Sequence, residues 1–177
     1  MEWLGGAALV VVIGALASIV VHTLRVGISP MPSSSRAAEA VLQLVPSQTT
    51  GEVLELGAGF GTLAFALARH APGATVVAYE SSPVPFAVMW VRQKLSRGVS
   101  NVRLRFGDFA TVPLGEAKVV VCYLWPGAMT LLGARFEAEL TPGALIVSNT
   151  FGLRGWAAER EITLSDVYRT RVYRYVR

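Results

Sequence analysis

The chain has 177 residues, of which 53% are hydrophobic and 16% charged, with a net charge of +4 and a mean hydropathy of +0.48. That is enough for one compact domain, and it is too apolar for a domain that meets only water. A single cysteine, Cys122, excludes an intrachain disulfide. His22 and His70 lie far apart without thiols or carboxylates at ligand spacing, so no metal site is expected. No dense basic tract marks nucleic acid as a partner.

Leu4 to Val21 is an uncharged apolar run of 18 residues. As a helix it is roughly 27 Å long, close to the thickness of a bilayer core. A single spanning helix is the preferred reading. A cleaved signal peptide lacks the basic residues that should precede such a run, and Ala15-Leu16-Ala17 sits inside it. A core helix would need burial on every side. Glu2 is the one charged side chain before the run, whereas Arg25 and Arg36 follow it. That bias predicts a single-pass membrane protein with its globular domain facing the cytoplasm, or the matrix if mitochondrial.

Residues 1–25 are thus read as the membrane helix and 26–50 as a linker with a lead-in helix. Val26 to Ser35 holds two prolines, a glycine and four serines and reads as irregular. Ser35 is expected to cap a helix over Arg36–Val45 that Pro46 ends. From Gly51 to Arg177 strand and helix signals alternate. Strands are predicted at Val53–Leu56, Thr75–Tyr79, Val102–Phe106, Lys118–Leu124 and Ala144–Ser148. Helices are predicted at Leu63–Arg69, Val84–Arg97 and Ala128–Leu140. Glu161–Leu164 and Arg171–Val176 read as a closing hairpin around Ser165-Asp166. The arginines of the tail are best explained by a solvated edge strand, with contact to lipid headgroups or an acidic partner as the sharper alternative. The alternation predicts an α/β, Rossmann-like, mostly parallel seven-stranded sheet with an antiparallel edge hairpin. Its ligand site belongs beyond the carboxyl ends of the strands.

Glu55-Leu56-Gly57-Ala58-Gly59-Phe60-Gly61 joins the first strand to the first helix of this region. Glycines there let the backbone turn sharply and approach a ligand. A dinucleotide loop reads G-x-G-x-x-G, but the third glycine would fall at Thr62. The E-x-G-x-G-x-G pattern instead resembles the first motif of the class I S-adenosylmethionine-dependent methyltransferases. Two further carboxylates are in register with it. Glu80 ends the second strand, where the resemblance implies a bond to the ribose hydroxyls, with Ser81 beside it. Asp108 follows the third strand in Gly107-Asp108-Phe109, where it implies contact with the adenine amino group and packing of Phe109 on the ring. The cofactor set is therefore Glu55, Gly57, Ala58, Gly59, Gly61, Glu80, Ser81, Gly107, Asp108 and Phe109. Each carboxylate also has a plainer reading: Glu55 as a strand-end charge, Glu80 as a cap on Ser81-Ser82-Pro83, Asp108 as a turn residue.

Acceptor-facing residues are expected after the fourth and fifth strands, at Tyr123, Trp125, Pro126 and Asn149, with Thr150 and Phe151 behind them. The Asn/Asp-Pro-Pro-Tyr signature of nucleic-acid amino-methylating enzymes is missing there, and no general base is evident. An apolar aromatic site would favour the neutral form of an amine. Both aromatics also have a plain packing reading. Arg154 and Trp156 are expected to face substrate or membrane, Cys122 to be inert core, and His70 to be a helix-end residue.

Taken together, the apolar run, the lead-in Gly27-Ile28-Ser29-Pro30-Met31-Pro32-Ser33 and Leu124-Trp125-Pro126-Gly127-Ala128-Met129 resemble one group of enzymes. These are the small membrane-anchored protein-lysine methyltransferases acting on the ATP synthase c subunit and the adenine nucleotide translocase, with their prokaryotic relatives. The resemblance implies N-methylation of lysine in a membrane protein, and it brings Pro30 near the cofactor. Two rivals stay open: methylation of a lipid or hydrophobic small molecule, and a cofactor-binding module without turnover. The chain departs from the pattern at Phe60, where relatives often carry Asp. It also departs at Asn149–Arg160, which is too short for a crossover helix.

Overall fold

A computed structural model describes Gly6, Ile13, Gly14 and residues 34–96 and 99–177. The run Leu4–Val21, apart from those three positions, lies outside the described residues, as do Arg25, the lead-in with Pro30, and Arg97. Among the described residues no helix is long and apolar enough to cross a membrane.

The described residues form seven strands: β1 Gly51–Leu56, β2 Ala74–Glu80, β3 Val102–Phe106, β4 Ala117–Cys122, β5 Leu145–Asn149, β6 Arg160–Thr163 and β7 Arg171–Val176. Among the described residues from Ser34 on, four helices accompany them: α1 Ser35–Leu44, α2 Thr62–His70, α3 Pro83–Leu95 and α4 Pro126–Glu139. The sheet order is β3-β2-β1-β4-β5-β7-β6. β1 to β5 are mutually parallel, and β7 runs antiparallel to both β5 and β6.

The expected alternation and antiparallel end are therefore present, with one correction. β7 lies inside the sheet and the shorter β6 forms its edge. Arg171 stays exposed beside Glu161, but Arg174 of β7 and Arg177 just after it are drawn into internal contacts. Arg174 donates to Glu159 Oε2 at 2.8 Å and to Leu44 O at 3.3 Å. Arg177 donates to Phe136 O and Glu137 O. The cap of α1 also shifts by one residue. Ser34 Oγ accepts from Ala37 N–H at 3.2 Å, the reach from an N-cap to the third helical residue.

The valine-rich central strands are buried on both faces, as a parallel sheet between layers requires. Val53, Val76, Ala78, Val119, Val121 and Val147 face a layer made by α1, α2 and Met89 of α3. Leu54, Leu56, Val77, Val120, Cys122 and Ile146 face Met129, Leu132 and Phe136 of α4. Cys122 is buried there and burial pushes its thiol up to about 12, so it is inert core as expected. His70 ends α2, with Nε2 at 2.8 Å from Val45 O. The strand order reverses direction between β1 and β4, which opens a crevice at the carboxyl ends of those strands.

Candidate active site

The candidate residues lie along one edge of the sheet, each just past a strand end. Gly107 and Asp108 follow β3, Glu80 closes β2, and the glycine loop follows β1. Tyr123 and Trp125 follow β4, and Asn149 ends β5. Glu80 ties the first three together. Its Oε2 accepts from Gly59 N–H at 2.7 Å and its Oε1 from Ser82 N–H at 2.6 Å. Its main-chain oxygen accepts from Gly107 N–H at 3.0 Å. Tyr79 O accepts from Gly57 N–H and Ala58 N–H at 3.0 and 2.8 Å. The capping reading of Glu80 is thus correct, but it does not use up the carboxylate. Two bonds occupy about half of its roughly four acceptor positions.

The three loop glycines have different reasons to be glycine. All have positive φ: 78° at Gly57, 55° at Gly59 and 76° at Gly61. A Cβ on Gly57 would stand 2.8 Å from Leu124 Cδ2, so this residue lets the loop seat against the segment after β4. A Cβ on Gly61 would stand 2.6 Å from Met89 Cγ. On Gly59 it would meet nothing within 4 Å. The open side at Gly59 is the place where a ligand can approach the backbone. Gly61→Ala is accordingly expected to lower stability by about 2–4 kcal/mol, through overpacking and backbone strain. Gly59→Ala is expected to cost only about 1–2 kcal/mol of strain while weakening ligand binding far more. Urea unfolding and calorimetry on the two variants separate these effects, and equal losses of affinity would contradict the assignment.

Glu55 is buried beneath the loop at 4% exposure, next to Glu80. Burial, and secondly the charge of Glu80, push its carboxyl up to about 8. Among the described residues its Oε2 and the Oγ of Ser82 are buried without a hydrogen-bond partner. An unpaired carboxylate oxygen, a half-used carboxylate and an open glycine face suit a polar cationic ligand with vicinal hydroxyls.

Asp108 caps the one-turn 3-10 helix Phe109–Thr111, accepting from Ala110 N–H at 2.9 Å, and remains exposed. Phe109 is buried and meets Trp125 edge-on at 5.5 Å between ring centres. Trp125 precedes Pro126, the first residue of α4, and both rings thus line the junction between the β3 and β4 ends. Tyr123 is half-buried in the same segment. Asn149 is buried, and Thr150 after it takes φ 70° while bonding Arg171 O through its N–H. Arg154 and Trp156 are not brought to this edge. They line a depression with Val176 and Arg177, and Trp156 packs edge-on to Tyr175.

Two positioning residues escaped the sequence reading. Arg92 on α3 donates to Phe60 O at 2.6 Å and lies over the Phe65 ring, fixing the glycine loop from behind. Arg135 on α4 donates to Phe109 O, Ala110 O and Val112 O and pairs with Glu139, fixing the segment after Asp108. Neither sits in a motif, and arginines on helices carry no signal that they reach across to another loop.

A model described as the ANTKMT methyltransferase domain matches residues 55–160, from the glycine loop to the start of β6. The chain belongs to this family. It is an S-adenosylmethionine-dependent methyltransferase. A protein-lysine N-methyltransferase of Saccharolobus islandicus is 24% identical over 136 residues, covering 77% of this chain and 84% of that one. The adenine nucleotide translocase lysine N-methyltransferase of Mus musculus is 29% identical over 134 residues, and the match spans 57% of its length. Among solved structures, an RNA methyltransferase from Salinibacter ruber in complex with S-adenosyl-L-homocysteine has a TM-score of 0.73 at 28% identity. The superposition covers 82% of this chain and 93% of that one. This methyltransferase family supplies the cationic, hydroxyl-bearing ligand that the glycine edge suits, namely S-adenosylmethionine.

Proposed function

We propose that the chain is a membrane-anchored N-methyltransferase whose acceptor is a lysine in a membrane protein. Two relatives are named for lysine methylation, one of them for that of the adenine nucleotide translocase. The sequence of Leu4–Val21 supports the anchor, and the basic residues after it support a cytoplasmic or matrix-facing domain. Anchoring would raise the effective concentration of the enzyme toward membrane partners.

The observation that carries the acceptor reading is the edge-on pair of Phe109 and Trp125, with Tyr123 half-buried two residues before Trp125 and a glycine loop held by Glu80. S-adenosylmethionine supplies a methyl group already activated on a sulfonium. What remains for the protein is alignment and exclusion of water. Glu80 and the Gly59 face hold and orient the cofactor, Asp108 and Gly107 meet its base, and Glu55 meets its charge. Tyr123 and Trp125 desolvate the acceptor amine, which lowers its pKa, and their ring faces attract the cation it becomes.

The test uses radiolabelled S-adenosylmethionine with membranes from cells lacking the gene. Label in a protein band that acid hydrolysis returns as methyl-lysine is the expected result. Label confined to the lipid extract or to RNA would replace the acceptor. Cofactor binding with no transfer to any fraction would favour a binding module.

A further inference from the structure

We propose that the tip of the β6–β7 hairpin is a second membrane contact, seating Val167 and Tyr168 among the headgroups of an anionic bilayer. The proposal rests on the anchor reading above. Val167 is 95% exposed and Tyr168 90%, the two most exposed of the large apolar side chains among the described residues. Neighbouring apolar residues held this far into solvent mark a contact surface.

The turn that presents them is built. Its stem is paired through Ile162 with Val172 and Thr163 with Arg171. Asp166 Oδ1 accepts from Thr170 N–H at 2.7 Å, and Asp166 O accepts from Arg169 N–H at 3.0 Å. Leu164 N–H donates to Thr170 O at 2.8 Å. Arg169 adopts φ 48°, a left-handed conformation that an arginine takes only where the surrounding bonds impose it.

Position decides the partner. Thr150 N–H, just past the end of β5, donates to Arg171 O. The tip beyond Arg171 therefore projects from the same sheet edge that carries Glu80 and the glycine loop. α1 begins there too. Hydrogen bonds from Thr170 hold the Asp166 carboxyl below the usual carboxylate range, and Arg36 in the first turn of α1 adds to this. α1 packs against β5 and β7, and Ser34, where the described chain enters it, stands two residues before Arg36. Twelve residues separate Ser34 from Val21, the end of the apolar run, a reach of at most about 40 Å. On the anchor reading, that reach bounds how far the start of α1 can stand from the bilayer surface.

The charges agree. Arg169 and Arg171 follow the apolar pair in the chain, both exposed, and the charge of Arg36 reaches Asp166 just before it. The acids nearby are Asp166, bonded to Thr170, and Glu161, 3.5 Å from Arg171. A tyrosine and a valine ahead of basic side chains match an interface with anionic headgroups.

The full chain tests this. Cys122 is its one cysteine and is buried, so Val167→Cys offers a single accessible thiol. It is labelled with an environment-sensitive fluorophore and reconstituted into vesicles of phosphatidylcholine and phosphatidylglycerol carrying nitroxide lipids. The expected result is emission quenched by at least half, with weaker quenching in phosphatidylcholine alone. A label at Ala138→Cys, exposed on α4, should stay unquenched. Co-flotation with vesicles but no quenching at position 167 overturns the proposal and leaves the anchor intact. Failure to co-float overturns the anchor reading and this proposal with it. Equal quenching at both positions overturns the tip as a specific contact. An emission shift that grows with protein concentration without lipid assigns the tip to a second copy and also overturns it.

Discussion

Glu80→Gln is expected to weaken S-adenosylhomocysteine binding by about 100-fold or more, measured by calorimetry on the full chain. The amide has nearly the shape of the carboxylate but not its chemistry. Glu80 spends one oxygen on Gly59 N–H and the other on Ser82 N–H, at 2.7 and 2.6 Å. Glutamine has one oxygen and one NH2. Either way it sits, a donor faces a donor. If the oxygen faces Gly59, Ser82 loses its acceptor at the start of α3. If it faces Ser82, the loop loses its tie at Gly59. Hydrogen bonds to a charged group are worth about 1.5–3 kcal/mol each, and the amide offers neither the charge nor both acceptor positions left for two cofactor hydroxyls. The sum passes the ~2.7 kcal/mol of a 100-fold change. The fold should survive, because Glu80 lies at a strand end while the β1–β2 ladder continues behind it. The urea midpoint of the variant therefore reads folding separately. A variant that stays folded and binds within threefold of the parent would remove Glu80 from the cofactor site.

Glu80 was legible in the sequence because its signal is local: a carboxylate at the end of a predicted strand, in register with a glycine loop. The parallel order of β1 to β5 was legible too, since alternating strands and helices leave few right-handed arrangements. The starts of α3 and α4 were read one and two residues late, at Val84 and Ala128. Both helices in fact begin on proline, Pro83 and Pro126, which fits the first turn of a helix. The insertion of β7 between β5 and β6 was not legible. Antiparallel pairing of residues as far apart as Leu145 and Val176 is decided by the packing of the whole sheet, and period-2 patterning is the same for an edge and an inner strand. The same reason hid Arg92 and Arg135. Their partners are main-chain carbonyls of other loops, and a carbonyl has no residue type to announce it. Arg154 and Trp156 misled in the opposite way. Their composition suits a binding rim, yet the short segment after β5 turns them toward the β7 end.

The stability of the cofactor-free chain is expected to fall as pH rises from about 6 to about 8.5, by roughly 3 kcal/mol, with Glu55 responsible. The sign follows from the two states. In the unfolded chain Glu55 titrates near 4.5, and in the folded chain burial and then Glu80 raise it to about 8. Between these values the folded state holds a proton that the unfolded state has released. Its contribution is complete below 4.5 and is lost as pH climbs through 8. Other shifted groups leave this window nearly clear. Asp166 and Glu139 are lowered, so their effects fall on the acid side. Cys122 is raised from 9 to about 12 and Tyr175 is raised from 10, so theirs fall on the alkaline side. Glu52 is raised mainly by burial and then by Glu116, a shift of the same direction as that of Glu55 in a group only partly buried. Glu55→Gln keeps the volume and removes the proton. Its urea midpoint should be nearly flat across the window and should exceed that of the parent at the alkaline end. The neutral Glu55 that the parent carries near pH 7 also leaves Glu80 without an ionised neighbour at the strand ends, where a cationic cofactor supplies the compensating charge. A cationic ligand that restores the ionised form of Glu55 should therefore bind more tightly as pH rises toward 8, and only in the parent. A pH slope of unfolding that is the same in parent and Glu55→Gln would show that the buried carboxyl is not the titrating group.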